Sequence, residues 1–366
     1  MKKIGIITLN GYKNFGNRLQ NYALQEILRN LGFEVETVLT YQDETFKRKV
    51  FNGLSIIKNM IKTRPIRNHS LYLDSLRTTR FKKFSEKYIA ETKSSIKNSK
   101  LSSIKLDYDY FVVGSDQVWN PTYIKKNSTF FLTFASKEKR VAYAPSFGTE
   151  IIPEKYKSKY SKWLKGINYL SVRENAGREI IYELTNLDVP VLVDPTLLIS
   201  KEKWLSISKP SKFRPSNTYL LTYFLGDGNS KFNEEITKIA KDFQLDIVNL
   251  SDANDQKRYD TDPSEFIDYI DNANIFLTDS FHGAIFAISL GTPFIVFDRI
   301  SNLPSMNSRI DTLLSKFHLE ERHWNYVSKQ HNYFEIDYGH VNSLLEQERG
   351  KSMNYLEKSL MLRKVE

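Results

Sequence analysis

Short apolar runs alternate with amphipathic stretches along most of the chain. Lys3–Leu9 is apolar, Arg18–Leu31 places Leu19, Tyr22, Ala23, Ile27 and Leu28 at helical spacing, and Phe33–Leu39 is apolar again after Gly32. This predicts strand, helix, strand. Such a βαβ unit implies a parallel sheet, because parallel neighbours need a crossover between them. Tyr108–Gly114, Arg140–Pro145, Asn168–Glu174 and Val189–Pro195 read as further buried strands, with a helix at Asn175–Leu184. A stretch from Asp194 to Ser216, containing KPSKFRPSN, interrupts the alternation and reads as a linker. The pattern then restarts. Strands are expected at Thr218–Phe224, Leu245–Leu250, Asn274–Leu277 and Phe294–Phe297, and helices at Lys231–Phe243, Pro263–Asp271 and Phe281–Leu290. The stretch Val341–Lys364 reads as helical.

The class is therefore α/β, with two doubly wound Rossmann-like domains in a GT-B-like layout. The expected division is residues 1–195 with a basic helical insertion at 45–105, a linker at 196–216, a second domain at 217–340 and a C-terminal helix at 341–366. In that layout the carboxyl ends of two parallel sheets border a cleft, and open α/β sheets bind ligands at those ends.

Composition narrows this picture. With 366 residues, 40% hydrophobic and 26% charged, the chain suits a water-soluble protein of two domains. It has no cysteine, which removes disulfides, thiolate nucleophiles and Cys-based metal sites together. The opening MKKIGIITLN starts with charge, but its apolar run is too short for a signal peptide and reads as a first strand. No stretch reaches the ~20 apolar residues of a membrane span, so a cytoplasmic location is expected. The net charge of +10 is uneven: residues 45–105 hold 16 Lys or Arg against 3 acids. That block reads as a solvated helical face or as a patch for the anionic inner face of a membrane or an anionic glycan. No nucleic-acid module is visible, and nucleic acid is not an expected partner.

Five polar segments sit at predicted strand ends. Asn14, Gly16 and Asn17 lie where the first strand hands over to the first helix, and form either an anion-binding helix start or a plain turn and cap. In VVGSDQVWNP, Ser115, Asp116, Gln117, Trp119 and Asn120 follow a strand at once; Trp119 is either a stacking platform for a sugar or a core residue. Arg173 and Glu174 end the next strand, as an anion-binding pair or a surface ion pair, with Arg178 one helical turn further on. Asp194 precedes the linker as a hinge, a cap or a ligand group. The fifth segment, TDSFHGAIFAISLGTPFIVF, puts Ser280, His282 and Gly283 in the first turn of an apolar helix. A helix start attracts anions, and a histidine there is placed for proton exchange. No HExxH, GxSxG or Walker A motif appears, so no metal or cofactor is expected.

The segments NFGNRLQNYALQEIL, FVVGSDQVWN, SVRE, VPVLVDPTLL, FLTDSFHGAIFAISLGTPFIVF and SMNSRIDTLL, in this order, resemble the polysaccharide pyruvyl transferase family. That resemblance implies a GT-B fold and transfer of pyruvate from phosphoenolpyruvate to two hydroxyls of a hexose, as a ketal, on a bacterial surface glycan or its lipid-linked precursor. It implies that Arg173 holds the donor and that His282 is catalytic, and it requires no metal. Many members carry Arg-x-His where this chain has Ser280-Phe281-His282, so Arg299 or Arg309 is the expected replacement. The donor set is then Arg173, Ser280, His282, Gly283, Arg299, Arg309, Asn14, Gly16 and Asn17. Asp116 is a further catalytic candidate, and Ser115, Gln117, Trp119, Asn120 and Glu174 form the acceptor side. Two other readings stay open: a GT-B glycosyltransferase using a nucleotide sugar, with Asp252 or Asp255 near the ribose, and a non-catalytic glycan-binding protein.

Overall fold

The computed structural model describes residues 1–40, 65–96, 101, 103–104, 107–124, 127–226, 228–300 and 307–361. Residues 45–64 of the basic block lie outside that set. The chain forms two compact units: Met1–Lys49, Ser85–Leu198 and Glu346–Glu366 make the first, and Val50–Phe84 with Ile199–Leu345 the second.

The first unit is built on four parallel strands, β1 (Lys3–Ile7), β2 (Glu34–Thr37), β3 (Tyr110–Val113) and β4 (Arg140–Ala142), in the order β2-β1-β3-β4. Ile4 pairs with both Val35 and Tyr110. Ile4, Ile6, Phe111, Val112 and Val113 are fully buried, which is why these strands read as apolar runs and not as alternations. The helix Phe15–Asn30 makes the first crossover. It starts at the Asn14 cap, earlier than its apolar periodicity indicates. Its polar positions Asn17, Arg18, Gln20, Asn21 and Gln25 are buried. Gln25 exchanges hydrogen bonds with the backbone of Ala90 (2.8 and 2.9 Å), and Arg18 pairs with Glu91 at 2.9 Å, so the strip after the second crossover seals that face.

Two expected strands are not regular strands. Asn168–Glu174 joins β4 through the single bridge Val141↔Tyr169, and Val189–Pro195 joins Asn168–Glu174 through the single bridge Val172↔Val191. Ser171 is one reason: its hydroxyl donates to the Ala142 carbonyl at 2.7 Å and accepts from the Ala144 amide at 2.9 Å, in place of ladder bonds. Pro190 and Pro195 remove donors as well.

The second unit repeats the plan. Strands β5 (Tyr219–Tyr223), β6 (Asp246–Asn249), β7 (Ile275–Thr278) and β8 (Phe294–Val296) are parallel, in the order β6-β5-β7-β8. The helix Phe281–Leu290 is buried over its whole length, as a helix apolar on all sides must be. The expected linker contains a helix, Lys201–Ile207, capped by Ser200. Its Trp204 is fully buried against Phe286, with ring centroids 4.8 Å apart, so this stretch is part of the second unit's core. Residues 346–366 group with the first unit, where Arg349 donates to the Leu197 carbonyl at 2.7 Å and Tyr355 to that of Ala142 at 2.9 Å. No helix among the described residues is long and apolar enough to cross a membrane.

In both sheets the first strand has its sequence neighbours on opposite sides. The crossovers therefore leave in opposite directions, and the loops after β1 and β3, or after β5 and β7, border a crevice within each unit.

Candidate functional site

In the first unit this switch point is closed by side chains. Asn17 donates to Asp116 Oδ2 at 2.9 Å and accepts from the Gly11 amide at 2.7 Å, while Thr8 donates to the Ser115 carbonyl at 3.1 Å. Asp116 has φ 76°, a left-handed conformation that costs a non-glycine residue roughly 1–2 kcal/mol. The amides of Val118 and Ser146 hold its carbonyl in place (2.8 and 2.9 Å). Ser115 donates to Asp194 Oδ2 at 2.5 Å, and Arg173 Nη1 reaches the same oxygen at 2.7 Å and the Ser115 hydroxyl at 3.2 Å. This Ser–Asp–Arg group is buried, with Arg173 only 3% exposed.

Several expected roles change here. Trp119 is 0% exposed, stacks on Phe131 (5.4 Å, interplanar 2°) and donates to the Phe130 carbonyl, so it is a core residue with no face for a sugar. Glu174 is buried, and its Oε1 accepts from the Ser146 hydroxyl and the amides of Phe147 and Gly148. Its pairing with Arg173 is buried and not at the surface, with Oε2 3.9 Å from Arg173 Nε, and its Oε1 braces the loop after β4. Asn14 is an exposed cap that accepts from the Asn17 amide, with Gly16 buried in the first turn behind it. Asn120 donates to Gln117 Oε1 at 2.9 Å, and Arg178 is an exposed partner of Asp188.

In the second unit the closing group is Asp279. Its two oxygens accept from the amides of Leu225 (2.6 Å) and Gly226 (2.9 Å), tying the loop after β5 to the end of β7. Thr278 repeats the tie by donating to the Tyr223 carbonyl at 2.6 Å. A Cβ at Gly226 would strike the Ile300 carbonyl, which is why no larger residue fits this close approach. Burial pushes the Asp279 carboxyl above the usual range, opposed by Arg299 and by the two amides. Arg299 lies 3.7 Å from Asp279 Oδ2 and donates to the Asp279 carbonyl at 3.2 Å. Ser280 caps the helix by accepting from the Gly283 amide at 3.2 Å. His282 stands in the first turn, 7% exposed, edge-on to Phe281, and the Arg309 guanidinium lies 5.7 Å from the centre of that Phe281 ring. The second unit thus gathers Asp279, Ser280, His282, Gly283, Arg299 and Arg309 around one helix start. Asp252 and Asp255 instead close local turns: Asp252 accepts from the Asn254 amide, and Asp255 caps the short helix after it and pairs with Arg258 at 2.6 Å.

The profile of the polysaccharide pyruvyl transferase family matches residues 14–302, a span that takes in the Asn14 cap, the turn at Asp116 and the DSFHG turn. The chain belongs to that family. The polysaccharide pyruvyl transferases are a family of transferases, and the resemblance read from the sequence is to this family. No curated protein gives a significant match. Among solved structures, UDP-GlcNAc 2-epimerase from Neisseria meningitidis, bound to UDP-GlcNAc, is 12% identical with a TM-score of 0.51, covering 99% of this chain and 100% of that one. MurG from Acinetobacter baumannii is 8% identical with a TM-score of 0.43, covering 99% and 100%. The likeness to the epimerase is one of fold, and with its two parallel-sheet α/β units the chain has the GT-B-like fold that the strand–helix alternation indicates.

Asp279 is the group of this site that sequence reasoning misses: it lies inside the conspicuous DSFHG turn, but nothing local shows that its oxygens span to the loop after β5.

Proposed function

We propose that the chain is a ketal pyruvyl transferase that uses phosphoenolpyruvate and acts on a hexose of a bacterial surface glycan or its lipid-linked precursor. What supports this reading is the helix start Ser280–Gly283, which carries His282 in its first turn, with Arg299 3.7 Å from the preceding Asp279 and Arg309 5.7 Å from the centre of the Phe281 ring. A donor bearing a phosphate and a carboxylate needs cations and oriented amides, and a helix start flanked by guanidiniums supplies both. Within the first unit, Asp194 and Ser115 grip Arg173 Nη1 and so fix the plane of the guanidinium, the preorganisation that planar anion recognition requires.

In the reaction the donor methylene carbon gains a proton while a sugar hydroxyl loses one and forms a C–O bond to the adjacent carbon. A second hydroxyl then bonds to that carbon, its proton passes to the leaving oxygen, and the C–O bond to phosphate breaks. His282 is the proposed proton carrier. Asp116, half-buried on a strained backbone, is the proposed base for the acceptor hydroxyl, with Gln117 and Asn120 beside it.

The test is phosphate release from phosphoenolpyruvate with galactose- or mannosamine-containing acceptors, with the ketal detected by mass spectrometry. His282→Ala should lower turnover by about 10²–10⁴-fold. Absence of phosphate release across a broad acceptor panel, with no donor binding by calorimetry, sinks the reading. The excess of basic residues at 45–105 suits an acceptor held on an anionic membrane; co-flotation with anionic liposomes that is lost at high salt would support that contact, and absence of flotation would remove it.

A further inference from the structure

In the first unit the carboxylate of Asp116 is held from the first helix. Asn17 lies in the first turn of that helix and is 4% exposed. Its side-chain amide is engaged at both ends. One end meets the Gly11 amide at 2.7 Å and Arg18 Nη2 at 3.2 Å. A backbone N–H and a guanidinium can only donate, so that end is the oxygen. The other end is therefore the NH2 group, and it donates to Asp116 Oδ2 at 2.9 Å.

Arg18 is itself fixed. It is fully buried, with Nη1 2.9 Å from Glu91 Oε1 and Nη2 2.6 Å from Asn10 Oδ1, and its guanidinium lies 5.2 Å from the centre of the Tyr12 ring. Glu91 also accepts from the Tyr12 hydroxyl at 3.2 Å. The series Glu91, Arg18, Asn17, Asp116 thus runs without a break to the loop after β3. Hydrogen bonds in series polarise one another, which strengthens the last of them. Asp116 needs that support, because a left-handed backbone at a non-glycine residue persists only where its surroundings over-determine it. Its carbonyl is held by the amides of Val118 and Ser146, and its Oδ1 accepts from the Gln117 amide at 2.8 Å. Asn17 adds the hold on Oδ2. Both carboxylate oxygens are then fixed in direction, and a general base works only when it is aimed within a narrow tolerance.

We propose that Asn17 is a positioning residue for the base of the acceptor hydroxyl, holding the Asp116 carboxylate in the direction that proton abstraction requires. This rests on the assignment of Asp116 above.

Asn17→Asp in the full chain tests it. The substitution keeps an oxygen for Gly11 and Arg18, and it replaces the group facing Asp116 with a second oxygen. With phosphoenolpyruvate and a galactose- or mannosamine-containing acceptor, kcat for ketal formation should fall about 10- to 100-fold, while KM for phosphoenolpyruvate changes by less than about threefold. The rate–pH profile should also move to higher pH, because a second carboxylate beside Asp116 disfavours its ionised form. An unchanged kcat and pH profile overturns the proposal, and if Asp116→Asn is inactive in the same assay the base assignment stands without it. Full turnover by Asp116→Asn, or absence of ketal formation by the unaltered protein, removes both. Should Asn17→Asp fail to fold, a crystal of the unaltered protein with the acceptor decides. An acceptor hydroxyl bonded to an Asp116 oxygen, with the Asn17 bond kept, supports the proposal, and an acceptor seated away from Asp116 overturns it.

Discussion

The two switch points share a plan and differ in how tightly they are closed. Each unit has the strand order 2-1-3-4 in its own numbering, a threonine that donates across the crevice, an aspartate at the closing loop and an arginine from a later segment. In the first unit the arginine and aspartate are in direct contact: Arg173 and Asp194 lie 2.7 Å apart, and both side chains are almost fully excluded from solvent. In the second, Asp279 spends its oxygens on the amides of Leu225 and Gly226, and Arg299 stands 3.7 Å off with 13% of its side chain exposed. A buried ion pair at contact distance organises the fold around it, and one partner cannot be removed without stranding the other. A guanidinium held loosely at a crevice edge retains more of its capacity for an incoming anion. The difference teaches that an arginine at a strand end is not one kind of group, and that its acceptor decides which kind it is.

The strongest way to break the comparison is Asp194→Ala. It leaves the Arg173 charge buried beside Ser115, and unfolding free energy from denaturant titration should fall by about 3–5 kcal/mol. A loss under about 1 kcal/mol would mean that Arg173 relaxes toward water and that the two units do not differ as described. Arg299→Met should show the opposite balance: a stability change of at most about 1 kcal/mol, with donor affinity reduced at least about tenfold. Equal losses of stability for the two variants would erase the contrast.

Gly283→Ala sharpens the second unit alone. An added Cβ would lie 2.8 Å from Thr278 Oγ1 and 3.2 Å from the Phe276 ring, so overpacking should cost about 1–3 kcal/mol in a thermal or denaturant scan. The smallest effect is a pH dependence. Because burial raises the folded-state affinity of Asp279 for a proton, its titration favours the folded state most below the unfolded value and loses that contribution as pH rises through the folded one. The stability of the unaltered protein relative to Asp279→Asn should therefore decline as pH rises from the ordinary carboxylate range. A relative stability that grows with pH would show that Arg299 and the two amides outweigh burial.

Much of the fold was legible because it depends on local periodicity. Apolar runs such as Ile4–Ile7, Tyr110–Val113 and Ile275–Leu277 are strands buried on both faces, and Gly32 and Ser280 mark helix ends by their own backbone and side-chain chemistry. The segments at 168–174 and 189–195 were misread because a hydroxyl, Ser171, takes over ladder bonds, and hydropathy does not register that substitution. Trp119 was ambiguous for a related reason: an aromatic at a strand end looks the same in sequence whether it faces a sugar or stacks on Phe131.

The sequence by itself determined that there are two runs of strand–helix alternation, that their polar turns fall at strand ends, and which family the motif order belongs to. These follow from the spacing of side chains along one chain. Only the tertiary structure decided that Glu174 braces a loop and that Asp279 ties β7 to the loop after β5. Those outcomes depend on partners tens to hundreds of residues away, and the energy of a charge is set by the groups folding brings beside it.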